Sequence, residues 1–523
     1  MTTIVRMRAL LVTSVGVTCA AALTLPLAAP ALSAPASHSA SARPPSVSPE
    51  SPGSGPPSSV RAEAPSPRAA ELAGSTQSLP LEPLAAPSDR VAGVAAGQGL
   101  AQRDARPFSL VGVVWDDADA ELHGTVQVRT RATGGEGWSD WQDVETHNAE
   151  HAADLGSAER STGAVRGATA PLWVGASDGV EVRVRPEAAD PQHRAAAVPL
   201  PEGLRLELVD PGEDPVAETT PESAPESAPE SAPESATETG SEPAPEPARA
   251  APAGRSATPA TFAVNPAPPT TTTAVPEALT AESAAASAVN ADLAPLGASV
   301  IPELTKAETE EEAAIVAAGA KPYIGPRPKI ITRKGWGADE KLRERNFAYT
   351  KSVKAAFVHH SATGNNYTCK QAPSVLRSIY RYHVKSSGWR DFGYNFAVDK
   401  CGNIYEGRAG GVAKAVLGAH TLGFNTNTMG VAVLGTYSST NPPAAAVTAV
   451  SKLTAWKLGL FGANPKGKVT LTSGGSNKYK AGVKVKMNVI SGHRDGFATE
   501  CPGARLYKKL GTARTSSAKL QGR

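Results

Sequence analysis

Alternating apolar and polar positions characterise the stretch from about residue 88 to 211. Segments such as PFSLVGVVW, GTVQVRTRA and DGVEVRVRP place apolar side chains at every second position, and Gly, Asp and Asn separate them. This period of two is typical of strands with one buried face, and frequent turns favour antiparallel pairing. We predict an all-β, sandwich-like domain over 88–211. Trp138 and Trp141 are expected to serve its core, with stacking on a sugar as the alternative.

From about residue 327 the pattern becomes a mixture of strands and helices. VKAAFVHH is predicted as a strand, PSVLRSIYRYHV as a helix that begins near Pro373, and GYNFAVDKCGNIYEG as a hairpin. MGVAVLG has the continuous apolar character of a central strand, and AAVTAVSKLTAWKLGLFG has helical spacing. NVISGHRD is predicted as a strand that ends at His493. These elements indicate a mixed α/β domain over 327–515, followed by a tail at 516–523.

Two stretches have no apolar periodicity. Residues 37–87 are rich in Pro, Ala and Ser, and residues 212–326 are rich in Pro, Ala and Glu with PESA four times in succession. Such compositions bury too little apolar surface to offset the entropy of ordering. Both stretches are predicted to be linkers, and the second should be a semi-extended acidic spacer that gives reach. One tract within it, AETEEEAAIVAAGA, is compatible with a short helix.

Residues 1–36 have the pattern of a secretory signal peptide. Two arginines precede the apolar run ALLVTSVGVTCAAALTLPLAA, and residues 34–36 supply an Ala-x-Ala cleavage pattern. A membrane anchor is the alternative, but prolines interrupt the run near the length needed to span a bilayer. We expect an exported protein, extracellular or associated with the cell wall, without stable membrane insertion.

Charge is distributed unevenly along the chain, although the formal net charge is only +2. Residues 321–523 hold 33 of the 52 Lys+Arg and 8 of the 50 Asp+Glu, which leaves 19 and 42 before residue 321. A basic carboxyl-terminal domain favours an anionic partner. Nucleic acid, an anionic membrane and an anionic wall polymer all satisfy this condition, and export argues against nucleic acid.

Cysteine usage is informative in an exported chain. Cys19 lies in the predicted signal peptide, so the mature chain keeps Cys369, Cys401 and Cys501 in an oxidising setting. Three is an odd number, and Cys369 and Cys401 can pair with each other while Cys501 remains. Cys501 follows His493 by eight residues in HRDGFATECPG.

Two kinds of chemistry fit these residues. Histidine and cysteine ligands at strand ends, widely separated in sequence, suit a catalytic zinc site with three protein ligands and one open position. The alternative makes Cys501 a nucleophile and His493 its base, with an Asn or Asp to orient the histidine. The zinc site needs another nitrogen donor, which His359 or His360 can supply. Strand alternation places these two on opposite faces without selecting one.

Five segments, in order, resemble the peptidoglycan recognition proteins and the related type 2, or phage-type, N-acetylmuramoyl-L-alanine amidases. They are ITRKGWGAD, FVHHSAT, GWRDFGYNFAVDKCGNIYEGR, GAHTLGFNTNTMGVAVLG and SGHRDGFATECPG. The resemblance covers about 327–515 and implies a mixed central β-sheet flanked by helices. It also suggests a secreted bacterial protein of the actinobacterial type.

The resemblance assigns roles to single residues. It implies that His359, His493 and Cys501 bind zinc and that Tyr394 lies beside the metal and assists catalysis. Thr499 stands where phage amidases have lysine and where recognition proteins often have threonine, so we treat it as a second candidate catalytic residue. By strand alternation His360 then falls on the opposite side and is expected to be structural.

Further residues in these motifs are candidate contacts of the stem peptide or glycan: His383, Trp389, Arg408, His420 and Asn425. A guanidinium suits a stem-peptide carboxylate, so Arg408 is a candidate for that contact, and an exposed arginine without a partner is the alternative. Cys369 and Cys401 are predicted to form a disulfide that ties the start of the first helix to the hairpin.

The function that the resemblance implies is hydrolysis of the amide between N-acetylmuramic acid and L-alanine of peptidoglycan stem peptides, with Zn²⁺ as cofactor. Bacterial peptidoglycan is the expected partner, anionic wall polymers are a further one, and the all-β domain is expected to dock to the wall. A monomer is expected. The alternative is a non-catalytic peptidoglycan-binding protein, but such relatives usually lack the cysteine ligand, and Cys501 is present. A nucleic-acid binder is opposed by export and by the motifs.

Overall fold

The computed structural model of the protein describes two parts of the chain, an all-β part and a mixed α/β part. The described residues are 74–84, 97–146, 148, 151–187, 198–214, 279–316 and 323–523. The predicted signal peptide and the PESA repeats lie outside the described residues. Within the described ranges, no helix is long and apolar enough to cross a membrane.

The all-β part confirms the predicted fold class. Its strands are β1 (Ser75–Pro80), β2 (Glu82–Pro83), β3 (Gln98–Trp115), β4 (Gly124–Ala132), β5 (Gln142–Val144), β6 (Gly167–Ala168), β7 (Leu172–Pro186) and β8 (Arg205–Asp210). All pair antiparallel in the order β1-β8-β3-β7-β4-β5, and β2 and β6 pair with β3. Strands β1 and β2 lie inside the segment assigned to the first linker, because Leu79 and Leu81 pack against the core of this part.

Strand β3 has two buried faces. Val111, Val113 and Trp115 face the core of the all-β part. Leu110 and Val114 alternate with them and pack into a second core that is shared with the α/β part. Strand alternation therefore explains why the sequence PFSLVGVVW is apolar at consecutive positions toward its end.

The two tryptophans of this part lie outside its core. Trp138 and Trp141 are half-buried, and the Arg183 guanidinium lies 3.9 Å from the Trp141 ring centre. The expectation that they serve the core is wrong, because arginine side chains of neighbouring strands cover their rings instead.

The α/β part contains a mixed sheet with helices on both faces, as predicted. Its elements are α1 (Ala281–Ala288), β9 (Val300–Ile301), α2 (Lys306–Val316), β10 (Ile330–Ile331), β11 (Ala355–His360), α3 (Ala372–Arg381), β12 (Phe396–Val398), β13 (Ile404–Glu406), β14 (Thr428–Val433), α4 (Ala444–Leu460), β15 (Lys468–Thr472), β16 (Lys484–Asn488), β17 (Ile490–Gly492) and α5 (Ala504–Gln521). The main sheet has the order β17-β11-β14-β12-β13-β10-β9, and β15 pairs with β16. Helices α4 and α5 cover one face, and α3 covers the other.

The segment before residue 327 differs from the prediction. Residues 279–316 were assigned to the spacer but pack on the α/β part, where β9 pairs antiparallel with β10. The Asn290 amide donates a hydrogen bond of 2.9 Å to the buried Glu406 carboxylate. The expected short helix is α2. At the other end, α5 runs through the predicted tail, because Ala518 and Gln521 are buried.

The all-β part packs against the α/β part through β3. The Tyr382 hydroxyl donates to the Thr169 carbonyl at 3.1 Å, and Ser386 donates to Glu207 at 2.8 Å. Gly112 leaves room for the Tyr382 ring, which a Cβ at that position would contact. The two parts therefore share a buried interface. The semi-extended spacer predicted between them had implied that the two domains would be separate.

Candidate metal centre and groove

Parallel strands bring the first two predicted metal ligands together. Strand β11 pairs parallel with both β14 and β17, and Val358 lies opposite Gly492. Carboxyl ends of parallel strands meet at one edge of a sheet. His359, near the end of β11, and His493, the first residue after β17, therefore lie with ring centres 4.5 Å apart.

A short loop after β17 returns the third predicted ligand to the same place. The Arg494 N–H donates to the Cys501 carbonyl at 3.0 Å, which closes the loop. The Thr499 hydroxyl accepts from the Cys501 N–H at 3.1 Å. Cys501 is buried, and its Sγ lies 3.8 Å from His359 Nδ1. Thr499 is half-buried and supports the backbone of the cysteine, while its catalytic role stays a prediction.

Burial keeps the His359 imidazole neutral. Burial, and then the proximity of His493, holds the pKa of His359 well below its ordinary value. A neutral imidazole is the form that binds metal. Thr421 Oγ1 lies 3.5 Å from His359 Nε2, on the ring side away from Cys501, and fixes the orientation of the ring.

A fourth buried side chain, which the sequence motifs did not predict, joins this cluster. His151 comes from the segment between β5 and β6, and its Nε2 lies 3.2 Å from His493 Nδ1 and 3.6 Å from Cys501 Sγ. Burial, followed by His360, lowers the pKa of His151 to about 3. The available signal was the length of that segment, because long irregular connections are uncommon unless they have a function.

The donor set fits zinc. Ligand atoms of His151, His359, His493 and Cys501 all lie within 4.8 Å of one another. Nitrogen and sulfur ligands at usual distances from a tetrahedral zinc lie about 3.3–3.6 Å apart. The shortest observed separations are close to that range, and imidazole with thiolate is a donor combination that zinc accepts.

Tyr394 lies beside the cluster, as the resemblance implied. Its ring centre is 5.3 Å from that of His359 and 5.8 Å from that of His151. The residue precedes β12 by two positions, and its carbonyl accepts from the Arg408 N–H at 2.8 Å. Tyr394 is therefore held on the sheet, next to the candidate metal ligands.

His360, which follows His359, and Phe357, which precedes it by two positions, have different surroundings. His360 Nδ1 accepts from the Tyr437 N–H at 3.2 Å, away from the cluster. Burial, followed by Arg494, lowers the pKa of His360 to about 4. Phe357 lies on the face of His359, with its ring centre 6.0 Å from that of His420.

His383 and Trp389 are buried next to Tyr394. His383 lies in a π-helical turn that continues α3, and its Nδ1 accepts from the Gly393 N–H at 3.2 Å. Its ring stacks on Trp389 at 4.4 Å and lies 5.9 Å from Tyr394. These contacts give both residues a packing role, and substrate contact stays a prediction.

Arg408 is buried and paired, rather than exposed. Its two terminal nitrogens each donate to Glu159 of the all-β part at 2.8 Å. Burial acts to raise the pKa of Glu159, but Arg408 outweighs it and holds that pKa below its ordinary value. Arg408 thus binds a carboxylate of the chain itself, and its contact with a stem-peptide carboxylate stays a prediction.

His420 and Asn425 are buried next to each other. The His420 ring centre is 5.4 Å from that of His359. Asn425 Oδ1 accepts from the His420 N–H at 2.7 Å, and Asn425 Nδ2 donates to Asp154 at 2.7 Å. The structure therefore brings His420 to the metal centre, and Asn425 lies next to His420.

The remaining cysteines are joined. Cys369 and Cys401 form a disulfide with a Cα separation of 6.2 Å. The bridge ties the turn before α3 to the β12–β13 hairpin, as predicted.

Two family models match the chain. One, N-acetylmuramoyl-L-alanine amidase, matches residues 349–504. The other, described as Rv3811 N-terminal galactose-binding domain-like, matches residues 64–202. Together they overlap the α/β part and the all-β part.

Known proteins are similar to the α/β part. Peptidoglycan-recognition protein SC2 of Drosophila melanogaster is 31% identical over 185 residues, which cover 35% of this chain and 85% of that protein. The N-acetylmuramoyl-L-alanine amidase of Homo sapiens is 32% identical over 213 residues, or 39% of this chain and 32% of the human protein. Among solved structures, Drosophila PGRP-LB is 24% identical, with a TM-score of 0.28 over 35% of this chain and 92% of that chain.

Family match, residue identity and shared motifs agree with one another. The chain belongs to the peptidoglycan recognition protein and type 2 amidase family.

Proposed function

We propose that the protein is a secreted, zinc-dependent N-acetylmuramoyl-L-alanine amidase. The substrate is the amide between the lactyl group of N-acetylmuramic acid and L-alanine of the stem peptide. The convergence of His359, His493 and Cys501 beside Tyr394 supports this proposal most strongly. The family includes both amidases and recognition proteins, and Cys501 favours the amidase.

The side chains have separate tasks. Zinc held by His359, His493 and Cys501 would lower the pKa of a coordinated water and polarise the scissile carbonyl. Tyr394 would donate a hydrogen bond where negative charge develops, a contribution of about 3 kcal/mol. Thr421 orients His359, and Thr499 holds the Cys501 backbone. Arg408 would bind a carboxylate of the stem peptide.

Amine release from peptidoglycan tests the activity. Full-length protein, zinc-loaded or treated with chelator, is incubated with isolated peptidoglycan, and new amino-terminal L-alanine is labelled and counted. We expect release only with zinc, and none from a Cys501→Ser variant that still binds the polymer. Absence of release at full zinc occupancy would contradict the proposal.

A non-catalytic, peptidoglycan-binding protein is the second candidate. His151 favours it, because four protein ligands around zinc leave no open position for water. Such a protein would bind peptidoglycan in the assay above and release no amines under any condition.

Location and partners complete the proposal. The signal peptide would be cleaved after Ala36, and the mature protein would act as a monomer outside the cytoplasm. Amino-terminal sequencing of protein from culture medium tests this directly, with Ser37 expected as the first residue. Bacterial peptidoglycan is the proposed partner, and the basic α/β part is suited to anionic wall polymers.

A further inference from the structure

One segment of the all-β part leaves its sheet and lies on the metal centre. Residues 151–162, called here the inserted segment, belong to the connection between β5 and β6. The segment begins with His151 at the candidate ligands. It continues past Asp154 and Glu159 along the groove that contains Asn425 and Arg408.

His151 has the position of a fourth metal ligand. Its side chain is buried, and its Nε2 points at His493 and Cys501 from 3.2 and 3.6 Å. Zinc sites with four protein ligands are structural, whereas catalytic sites keep one position for water. A zinc ion bound to His151 as well would therefore lack the open position that hydrolysis needs.

The carboxylates of the inserted segment accept hydrogen bonds from the polar groups of the groove. Glu159 pairs with both terminal nitrogens of Arg408, and both side chains are buried. Asp154 accepts from the Asn425 amide at 2.7 Å and from the Gly423 N–H at 2.8 Å. A stem peptide also carries carboxylates, so it would compete with the inserted segment for these donors.

The groove is larger than the part that the inserted segment fills. A cavity of about 410 Å³ lies between the segment and the α/β part, with Ala153 and Glu159 on one side and Arg408 and Asn425 on the other. Ligand sites of small molecules commonly have volumes of about 300–1,000 Å³. Displacement of the segment would add its own volume to a space that is already of that order.

We propose that the inserted segment holds the metal centre closed, with His151 as the fourth zinc ligand and Asp154 and Glu159 in place of substrate carboxylates. This proposal rests on the proposed amidase function. The closed form binds zinc more tightly and substrate more weakly than an open form, and hydrolysis requires the segment to leave the groove.

Three full-length variants test the closed site. His151→Ala removes the fourth ligand, Glu159→Gln removes the ion pair with Arg408 and leaves the ligands intact, and Ser161→Ala is the control. Ser161 is exposed, and its hydroxyl donates within the segment to the Ala158 carbonyl. Unfolding midpoints of the three variants verify that each is folded.

Metal binding is the first readout. Outer-shell changes in zinc sites typically cost about 10–100-fold in affinity, so the loss of a ligand should cost about tenfold or more. We expect His151→Ala to lose zinc to a chelator at least about tenfold more readily and to change the visible spectrum of the cobalt-substituted protein. Wild-type affinity together with a wild-type spectrum would overturn the assignment of His151.

Substrate binding is the second readout, and it needs no catalysis. Metal-free wild type, Glu159→Gln and Ser161→Ala are titrated with a soluble muramyl pentapeptide. If the open form is a minor state of about 0.1–10%, opening the groove should strengthen binding by about tenfold or more. Equal affinity of Glu159→Gln and wild type would overturn the proposal for the groove.

Hydrolysis by the same variants separates the two proposals. The closed site predicts faster amine release by Glu159→Gln than by wild type or Ser161→Ala. Changed binding without hydrolysis by any variant would contradict the amidase and support the closed site. Equal hydrolysis by all variants, with unchanged binding, would support the amidase and contradict the closed site.

Discussion

At the scale of the residue, the candidate site depends on side chains that are buried, neutral and close together. His359 and His493 are separated by more than a hundred positions in sequence, yet their rings lie 4.5 Å apart because parallel strands end at one edge. Burial of unpaired charges is costly, so it lowers the pKa values of His151 and His359. Such neutral donors attract a metal ion.

Adjacent histidines provide a matched test of the ligand assignment. His359→Ala removes a nitrogen donor that faces Cys501, and the zinc content of the purified protein should fall well below one ion per chain. His360→Ala removes a side chain that accepts from the Tyr437 N–H, so zinc content should stay near that of wild type while stability declines. Atomic absorption of both variants measures the difference. Equal zinc content would contradict the assignment.

The sequence could predict three ligands and not the fourth. His359, His493 and Cys501 lie in motifs with a known order, and strand ends explain how they meet. His151 lies in an irregular segment, 342 positions before His493 in the sequence. Its place depends on how β3 docks on α3, which no local pattern specifies.

At the scale of the element, short connections fix the frame around the site. The disulfide between Cys369 and Cys401 holds the turn before α3 against the β12–β13 hairpin. Strand β13 in turn contains Glu406, which is held by Asn290 from the segment before the predicted domain boundary. Elements outside the five motifs therefore support the sheet that presents the ligands.

Removal of the disulfide should lower stability without removing the metal. The bridge closes a sequence separation of 32 residues, and crosslinks of this kind contribute about 2–4 kcal/mol, chiefly by restricting the unfolded chain. A Cys369→Ala/Cys401→Ala variant should unfold at lower denaturant concentration and keep wild-type zinc content. An unchanged unfolding midpoint would show that the bridge contributes little.

Glu406 should give the folded protein a distinct pH dependence. Burial is the main cause that raises the pKa of Glu406 to about 7, above its value in the unfolded chain. Between those two values the folded state binds the extra proton, so this group's contribution to stability is full at low pH and is lost as pH rises toward 7.

A Glu406→Gln variant isolates that contribution. The unfolding free energy of both proteins is measured by denaturant titration from pH 5 to 7.5. In wild type, Glu406 should lower it by about 1.4 kcal/mol per pH unit as pH rises toward 7, and the variant should not show this decline. Equal slopes for the variant and wild type would mean that Glu406 is ionised in the folded protein throughout this range.

The central strands and helices were predicted because their apolar residues follow a strong period. Segment 279–316, which supports the sheet, was not predicted to do so because its apolar residues follow no clear period. Strands β11 and β14 are continuous apolar runs, and α4 has clear helical spacing, so these were predicted close to their observed bounds. Segment 279–316 is rich in Ala and Glu and contains no aromatic residue, so it resembles the spacer in composition. It folds because β9 pairs with β10 and because the Asn290 amide donates a hydrogen bond to Glu406. Both contacts exist only in the assembled sheet.

At the scale of the whole molecule, the all-β part is a partner of the α/β part. Leu110 and Val114 of β3 share a buried core with α3, and Tyr382 and Ser386 add hydrogen bonds across the interface. The same docking brings His151 to the metal centre. The proposed closure of the metal centre therefore depends on the same interface.

A glycine at this interface allows the docking to be tested. Gly112→Val places a side chain where the Tyr382 ring lies, so amide hydrogen exchange should quicken in α3 and β3 while β4 stays protected. Gly137→Val is the control, because among the described residues no atom beyond its two chain neighbours lies within 4 Å of a Cβ there. Unchanged protection of α3 in Gly112→Val would mean that the interface tolerates separation.

Mass spectrometry of a soluble muramyl pentapeptide incubated with zinc-loaded, full-length protein tests the central claim most directly. The account predicts equal amounts of N-acetylmuramic acid and free pentapeptide, a faster rate for Glu159→Gln, and no products for Cys501→Ser. Full zinc occupancy without either product, in wild type and in Glu159→Gln alike, would contradict it.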